Sequence, residues 1–135
     1  GTRLQVATPA ASAWTGRGYF EGWLTAKNDW VHAHLHASAE RLHALCRRYP
    51  SGDERTRRAL TQALRELLLA QASDWSFLLS RERTAPYAAR RIRDHLLGCQ
   101  RLCDEVEGGA IDDHGLGALE ERNNLFAALD YRVLL

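Results

Sequence analysis

Leu67-Leu68-Leu69-Ala70-Gln71-Ala72-Ser73-Asp74-Trp75-Ser76-Phe77-Leu78-Leu79 is the stretch on which the fold turns. It begins as the end of a strongly apolar helix, presents a serine, an acid and a tryptophan, and then turns apolar again. Two readings of the break are open. Asp74 can cap a short further turn that runs through Leu79, with Trp75 as a core ring. Alternatively, the acid and the ring together face a ligand.

The helix that leads into the break runs from about Asp53 to Ala72. Leu60, Ala63, Leu64, Leu67, Leu68 and Gln71 line one side, and Leu69 widens the stripe. A face that broad implies contacts on more than one side. Ser51 and Glu54 stand in S-x-x-E spacing ahead of it, the pattern of a capping box. After the break, Thr84 precedes Pro86, a second start signal. The helix that follows runs to about Glu107 and stops at Gly108-Gly109. Ala88, Ile92, His95, Leu96, Cys99, Leu102, Cys103 and Val106 recur on its apolar face. His95 on that face reads as a hydrogen-bonded core histidine.

Earlier in the chain, Asn28 or Asp29 can cap a helix running to about Tyr49. Its apolar positions are Val31, Leu35, Ala39, Leu42, Leu45 and Cys46, and Pro50-Ser51-Gly52 ends it. Later, Asp112 or Asp113 opens a short helix to about Asn123. Glu120 and Glu121 read as its solvated face. The tail from Asn124 to Leu135 reads as a loop whose last residues are apolar enough to need a docking surface. The expected fold is therefore all-α: a bundle of three long helices plus short ones, over residues 29–135. An aromatic-rich arm, residues 1–28, precedes it. The arm is punctuated by Pro9, Gly16, Gly18 and Gly22, with at most a short extended piece. It nevertheless carries Trp14, Tyr19, Phe20 and Trp23. Such rings either pack on a neighbour or stack on the apolar faces of sugars.

Composition narrows the function. The 135 residues carry 18 Lys+Arg against 17 Asp+Glu, a net charge of +1. No electrostatic case for nucleic acid or an anionic membrane follows from that balance. No apolar run approaches the roughly 18 to 20 residues of a membrane span. Cys46, Cys99 and Cys103 lack framework spacing; Cys99 and Cys103 share a helix face as a metal pair would, but read rather as small buried hydrophobes in a reducing, cytoplasmic setting. His32 and His36 share a helix face, but no third metal ligand and no HExxH accompany them. No nucleotide-binding glycine loop and no G-x-S-x-G is present. No metal, no cofactor and no self-contained catalytic residues are expected. The opening Gly1-Thr2-Arg3-Leu4 reads as a segment of a longer protein or as a tag scar.

Three segments, in order, resemble the C-terminal helical region of the glycoside hydrolase family 57 α-glucan branching enzymes. The first runs from Ala11-Ser12-Ala13-Trp14 through Gly18-Tyr19-Phe20-Glu21-Gly22-Trp23-Leu24 into Asn28-Asp29-Trp30. The second is Leu67 to Phe77, similar to the family's Ser-Asp-Trp box. The third joins Tyr87, Arg91 and His95 to Leu119-Glu120-Glu121-Arg122-Asn123-Asn124-Leu125-Phe126 and Asp130-Tyr131-Arg132.

The resemblance implies a retaining transglycosylase whose Glu nucleophile and Asp acid/base lie upstream, on an incomplete β/α barrel. It implies an α-glucan substrate of the amylose or glycogen kind and transfer of α-1,4 chains to 6-hydroxyls. Trp14, Trp23, Asp74 and Trp75 are the implied substrate-binding residues. The break would be one wall of the cleft, facing the arm's two tryptophans. The 135-residue chain alone would be inactive. The chain departs from the family at Thr15-Gly16, where glycine usually follows the tryptophan directly, and at Gly22, where a bulkier residue is common. Ser76-Phe77-Leu78-Leu79 lacks the extra tryptophans of several non-branching members, which favours a branching enzyme. A 4-α-glucanotransferase or amylase of the same family stays open. So does a stand-alone carbohydrate-binding or protein-docking module.

Overall fold

Local chemistry sets where each helix begins. The computed structural model describes residues 7–13 and 18–135 of the chain. Its elements are α1 (Asp29–Arg48), α2 (Glu54–Ala70), α3 (Ser73–Leu79), α4 (Ala85–Gly108), α5 (Asp113–Arg122) and a closing 3-10 turn (Tyr131–Leu134). The fold is all-α, with three long helices, two short ones and no strand among the described residues. Residues 18–28 of the arm form successive turns, and the expected extended piece is absent from them.

The capping box does not form. Asp53 caps α2 instead, accepting the Thr56 N–H at 2.8 Å. It stands one residue before the helix, where its oxygen reaches the exposed amides that Ser51 overshoots. Glu54 turns outward and holds Arg57 at 2.7 Å. Asp112 caps α5 by accepting from the His114 N–H at 3.1 Å. Gly109 ends α4 in the left-handed region, at φ 67°, where glycine pays no Cβ penalty.

α2 is the central helix: α1, α4, α5 and the closing turn all pack against it. Leu42, Leu60, Leu102 and Leu116 are fully buried in the main core around it. A second core sits where α3 meets α4, around Val31, Ala70, Leu79, Ile92 and Leu96, and Leu35 of α1 packs on both. Every one of the eight apolar-face positions expected on α4 is buried. The three cysteines are buried and unpaired, and burial pushes the Cys46 thiol up to about 11.

The tail is more ordered than a loop. Tyr131 is buried and its hydroxyl donates to the Tyr49 carbonyl at the end of α1. Its N–H donates to Thr61 Oγ1 of α2 at 3.3 Å. Asp130 caps the 3-10 turn, and Arg132 holds its carboxyl below the usual carboxylate range. Glu120 is likewise not on a solvated face, since it accepts from Arg58 Nε of α2 at 3.1 Å.

A Leu60→Ala variant is expected to lose about 3 kcal/mol in urea unfolding, the cost of a cavity at a closed core position. Asp53→Ala should lower the melting temperature, whereas Ser51→Ala should leave it unchanged. The reverse order would restore the capping box.

Candidate functional site

The Ser73-Asp74-Trp75 break is built from both of its ends. Ala72 stands at the head of α3 and no side chain caps it, so Asp74 is not the cap expected of it. Asp74 lies in the first turn, exposed, where a carboxylate complements the helix dipole. Trp75 is half-buried and its indole Nε1–H donates to the Leu69 carbonyl at 2.7 Å. That carbonyl belongs to the last turn of α2, which has too few backbone donors of its own. The ring of Trp75 then meets exposed Tyr87 of α4 edge-on, with centroids 6.1 Å apart.

Two residues on and across α3, Phe77 faces the arm. Trp23 packs on it with centroids 5.6 Å apart and planes tilted by 31°. Arg81 lies over the same ring at 4.3 Å. The backbone beneath Trp23 is fixed as well, because His32 of α1 bonds its carbonyl at 3.3 Å. Asn28 does not cap α1 either. Its Oδ1 accepts from the Thr25 N–H at 2.8 Å and its Nδ2 donates to the Ser76 carbonyl at 3.3 Å, tying arm to α3. Trp23, Asp74 and Trp75 therefore gather on or against one seven-residue helix. The ring that meets Trp23 is Phe77, on the side of α3 opposite Trp75. Trp14 lies outside the described residues.

Beneath this surface runs a polar network that the sequence does not announce. Glu66 of α2 is fully buried. Its Oε1 accepts from Gln62 Nε2 at 3.0 Å and from Asn123 Nδ2 at 2.7 Å. Its Oε2 accepts from His95 Nδ1 at 2.7 Å. On the far side of the imidazole, Arg91 Nη2 lies 3.0 Å from His95 Nε2. A guanidinium can only donate, so Nε2 is the acceptor and Nδ1 carries the proton toward Glu66. Burial alone would raise the Glu66 carboxyl. The donors from His95, Asn123 and Gln62 outweigh it and hold the group below its ordinary value of 4.5.

Gln62 also donates to the carbonyls of Leu119 and Asn123, both at 3.3 Å. Arg65 Nε, one turn along α2, donates to the Leu125 carbonyl at 2.9 Å. These bonds hold the loop after α5, where exposed Phe126 is kept at φ 54°, a strained value for a bulky residue. Of the network's members, sequence phase singled out His95 on the apolar face of α4 but not Glu66. Gln62 and Glu66 are four residues apart and so share a side of α2, one that lies away from the Leu60, Leu64 and Leu67 stripe and is buried because α2 is covered on more than one side.

Elsewhere, a groove of about 500 Å³ between α1 and α4 is lined by Trp30, His34, Ser38, Arg93, Leu96, Leu97 and Gln100. It opens on the edge of α4 away from Tyr87 and Arg91. Among the described residues, no three His, Cys, Asp or Glu side chains are placed to hold a metal ion.

Residues 34–134 match the family profile described as 1,4-alpha-glucan branching enzyme, C-terminal. A curated 1,4-alpha-glucan branching enzyme of Thermococcus kodakarensis is 33% identical over 130 residues, covering 93% of this chain and 19% of that protein. Among solved structures, a GH57-type branching enzyme from Pyrococcus horikoshii superposes with a TM-score of 0.86 at 31% identity, over 100% of this chain and 26% of that one. The alpha-amylase AmyC of Thermotoga maritima superposes with a TM-score of 0.80 at 36% identity, over 98% of this chain and 24% of that one. The chain thus spans about a fifth of the length of the curated relative it matches.

Glu66→Gln is expected to cost about 3 kcal/mol, because an amide would set a donor against donors in a closed site. The folded-state pKa of Glu66 is depressed, so its stabilisation is present above the unfolded value of 4.5 and is lost as pH falls through the folded value. Urea unfolding followed downward from pH 4.5 should show that loss in the wild type and not in the variant.

Proposed function

The chain belongs to the family described as 1,4-alpha-glucan branching enzyme, C-terminal, and on that footing we propose that it is the helical part of a family 57 α-glucan branching enzyme. In this reading it lines the glucan cleft and supplies none of the reacting carboxylates. The observation that carries the proposal is the match in order along nearly the whole chain, which brings α3 and the arm with it. The partner is a catalytic barrel of the same protein, the substrate is an α-glucan, and the reaction needs no cofactor. The 135-residue chain alone then transfers no glucan. Three buried, unpaired cysteines favour a reducing, cytoplasmic setting.

The chemistry explains why such a helical part would be needed. A retaining enzyme cuts the α-1,4 bond and holds the chain on its nucleophile. Either water or a 6-hydroxyl can then attack. Transfer wins only if the acceptor is already held in place and water is kept out. Trp23 and Trp75 offer flat apolar faces on opposite sides of α3, and Asp74 offers an exposed acceptor between them for sugar hydroxyls. Trp14 joins them by the resemblance alone.

A second reading keeps the cleft and changes the outcome. The likeness to an alpha-amylase at 36% identity favours a hydrolase in which the same wall holds substrate and water attacks. A stand-alone carbohydrate-binding or docking module is the reading outside the enzyme class.

The test is the protein expressed from its own gene, supplied with amylose. Counting new α-1,6 linkages by debranching, against new reducing ends, separates branching from hydrolysis. Trp23→Ala and Trp75→Ala should each lower branching by about tenfold, the loss of one aromatic contact. Hydrolysis should rise as a share of product. Folded variants with wild-type branching would sink the cleft assignment. A wild type making only reducing ends would establish the amylase reading.

A further inference from the structure

The loop after α5 turns apolar side chains outward and is held from behind. Leu125, Phe126, Ala127 and Ala128 are all exposed, Leu125 to 45% and Phe126 to 58%. Four exposed apolar residues in a row are a fault in a loop unless they serve a function. This loop is also not free to fold them away. Arg65 donates from Nε to the Leu125 carbonyl at 2.9 Å and from Nη2 to the Phe126 carbonyl at 3.5 Å. The Phe126 carbonyl accepts as well from the Leu129 N–H at 2.8 Å, which closes the turn. Buried Asn123 and half-buried Leu129 pin its two ends. Phe126 is thereby held at φ 54°, a conformation that glycine or asparagine adopts with less strain. Such strain persists only where neighbours over-determine it, and it gathers at functional contacts.

The chemistry of the patch selects its occupant. The side chains from Leu125 to Leu129 carry no donor and no acceptor, and the carbonyls of Leu125 and Phe126 are already bonded. A sugar needs partners for its hydroxyls beside the ring, so this loop is a poor platform for glucan. A second copy of the chain is a poor occupant too. The exposed parts of the two large side chains come to roughly 200 Å², against roughly 800 Å² per partner for a stable interface between separate molecules. Within one polypeptide a small contact suffices, because the effective concentration is already high. The chain spans about a fifth of the length of the curated relative, so in the family reading most of the protein lies outside it. Arg65 and Leu69 are one helical turn apart, so the loop and the Trp75 ring are tied to successive turns of α2, close enough for one partner to meet both.

We infer that Leu125 and Phe126 form an apolar anchor on which the catalytic part of the same protein docks, with the Phe126 ring seated among apolar side chains of that part. This rests on the reading above, in which such a part exists. It assigns the loop a contact with protein, distinct from the contacts with glucan given to the tryptophans and Asp74.

Shielding and stability test it in the protein expressed from its own gene. In Phe126→Cys, docking covers the introduced thiol. Its alkylation by iodoacetamide is followed by peptide mass, which separates it from every other cysteine. Without glucan, that alkylation should be at least about tenfold slower in native buffer than in urea, because a docked position is shut off from solvent. A smaller slowing overturns the inference. So does slowing that vanishes on dilution together with a fall in mass, which assigns the patch to a second copy. Slowing that requires added maltoheptaose assigns it to glucan and overturns the inference as well. Phe126→Asn removes the ring and leaves a side chain that tolerates the left-handed region. If the ring is docked, this variant melts below the wild type. If the ring stands in water, only strain is relieved, and melting at the same temperature or higher overturns the inference. A freely reacting thiol at position 126 in a protein that branches amylose overturns this inference alone. A gene that encodes no catalytic part overturns the functional reading, and this inference with it.

Discussion

A fully buried carboxylate is the constraint on which the rest of this structure depends. Glu66 sits in the middle of the central helix, on a side that packing against neighbouring elements seals from water. An isolated ionised carboxylate there would cost more than the fold could bear. It is tolerated because three elements each send it a donor: Gln62 from its own helix, His95 from α4 and Asn123 from the end of α5. The requirement runs both ways. Those donors are paired only when α2, α4 and the α5 end are in register, so the buried charge selects one arrangement among the many that apolar packing would allow. Greasy helix faces tolerate small slips; a carboxylate with three short hydrogen bonds does not.

The same network explains features that look separate. The loop after α5 carries a phenylalanine in the left-handed region, a conformation that must be held from outside. Gln62 and Arg65 hold it, through the carbonyls of Asn123 and Leu125. Both come from the turn of α2 that also carries Glu66. One turn of one helix thus sets the loop on one side and, through His95, the arginine on the other.

How much of this could be read from the sequence follows from the range of each interaction. The apolar face of α4 was legible because helical period is local, and all eight expected positions are buried. The glycine stop at its end was legible for the same reason. Caps were half legible. Asp112 and Asp53 are short-range features, yet Ser51, Asp74 and Asn28 were equally good candidates, and the backbone path chose among them. Asn28 was drawn away by the Ser76 carbonyl, 48 residues on. Glu66 was invisible because two of its partners lie 29 and 57 residues away. The tail's need for a docking surface was legible in its apolar residues, but its partners were not, because Tyr131 finds Tyr49 and Thr61 only after α1 and α2 have packed. The gathering of Trp23 and Trp75 around α3 came from the resemblance, since no period connects an arm to a helix break.

α3 itself shows why the break carries the aromatic side chains. A helix of seven residues is too short to stand by itself in water. Its order is imposed by neighbours. Trp75 bonds back to Leu69, Asn28 holds the Ser76 carbonyl, and Thr84 Oγ1 donates to the Leu78 carbonyl at 2.8 Å. Each bond fixes a backbone or ring position at the helix surface, so the rings are aimed by tertiary contacts and not by helix propensity. Trp75 is anchored directly to the rigid end of α2. Among the described residues, Trp23 is anchored by the Phe77 ring and by the bond from His32 to its carbonyl. The two rings are thus held from different elements, Trp75 from the end of α2 and Trp23 from α1 and α3. The polar break Ser73-Asp74 belongs to that design: an apolar continuation of α2 would have removed the short helix and, with it, the two directions in which the rings now point.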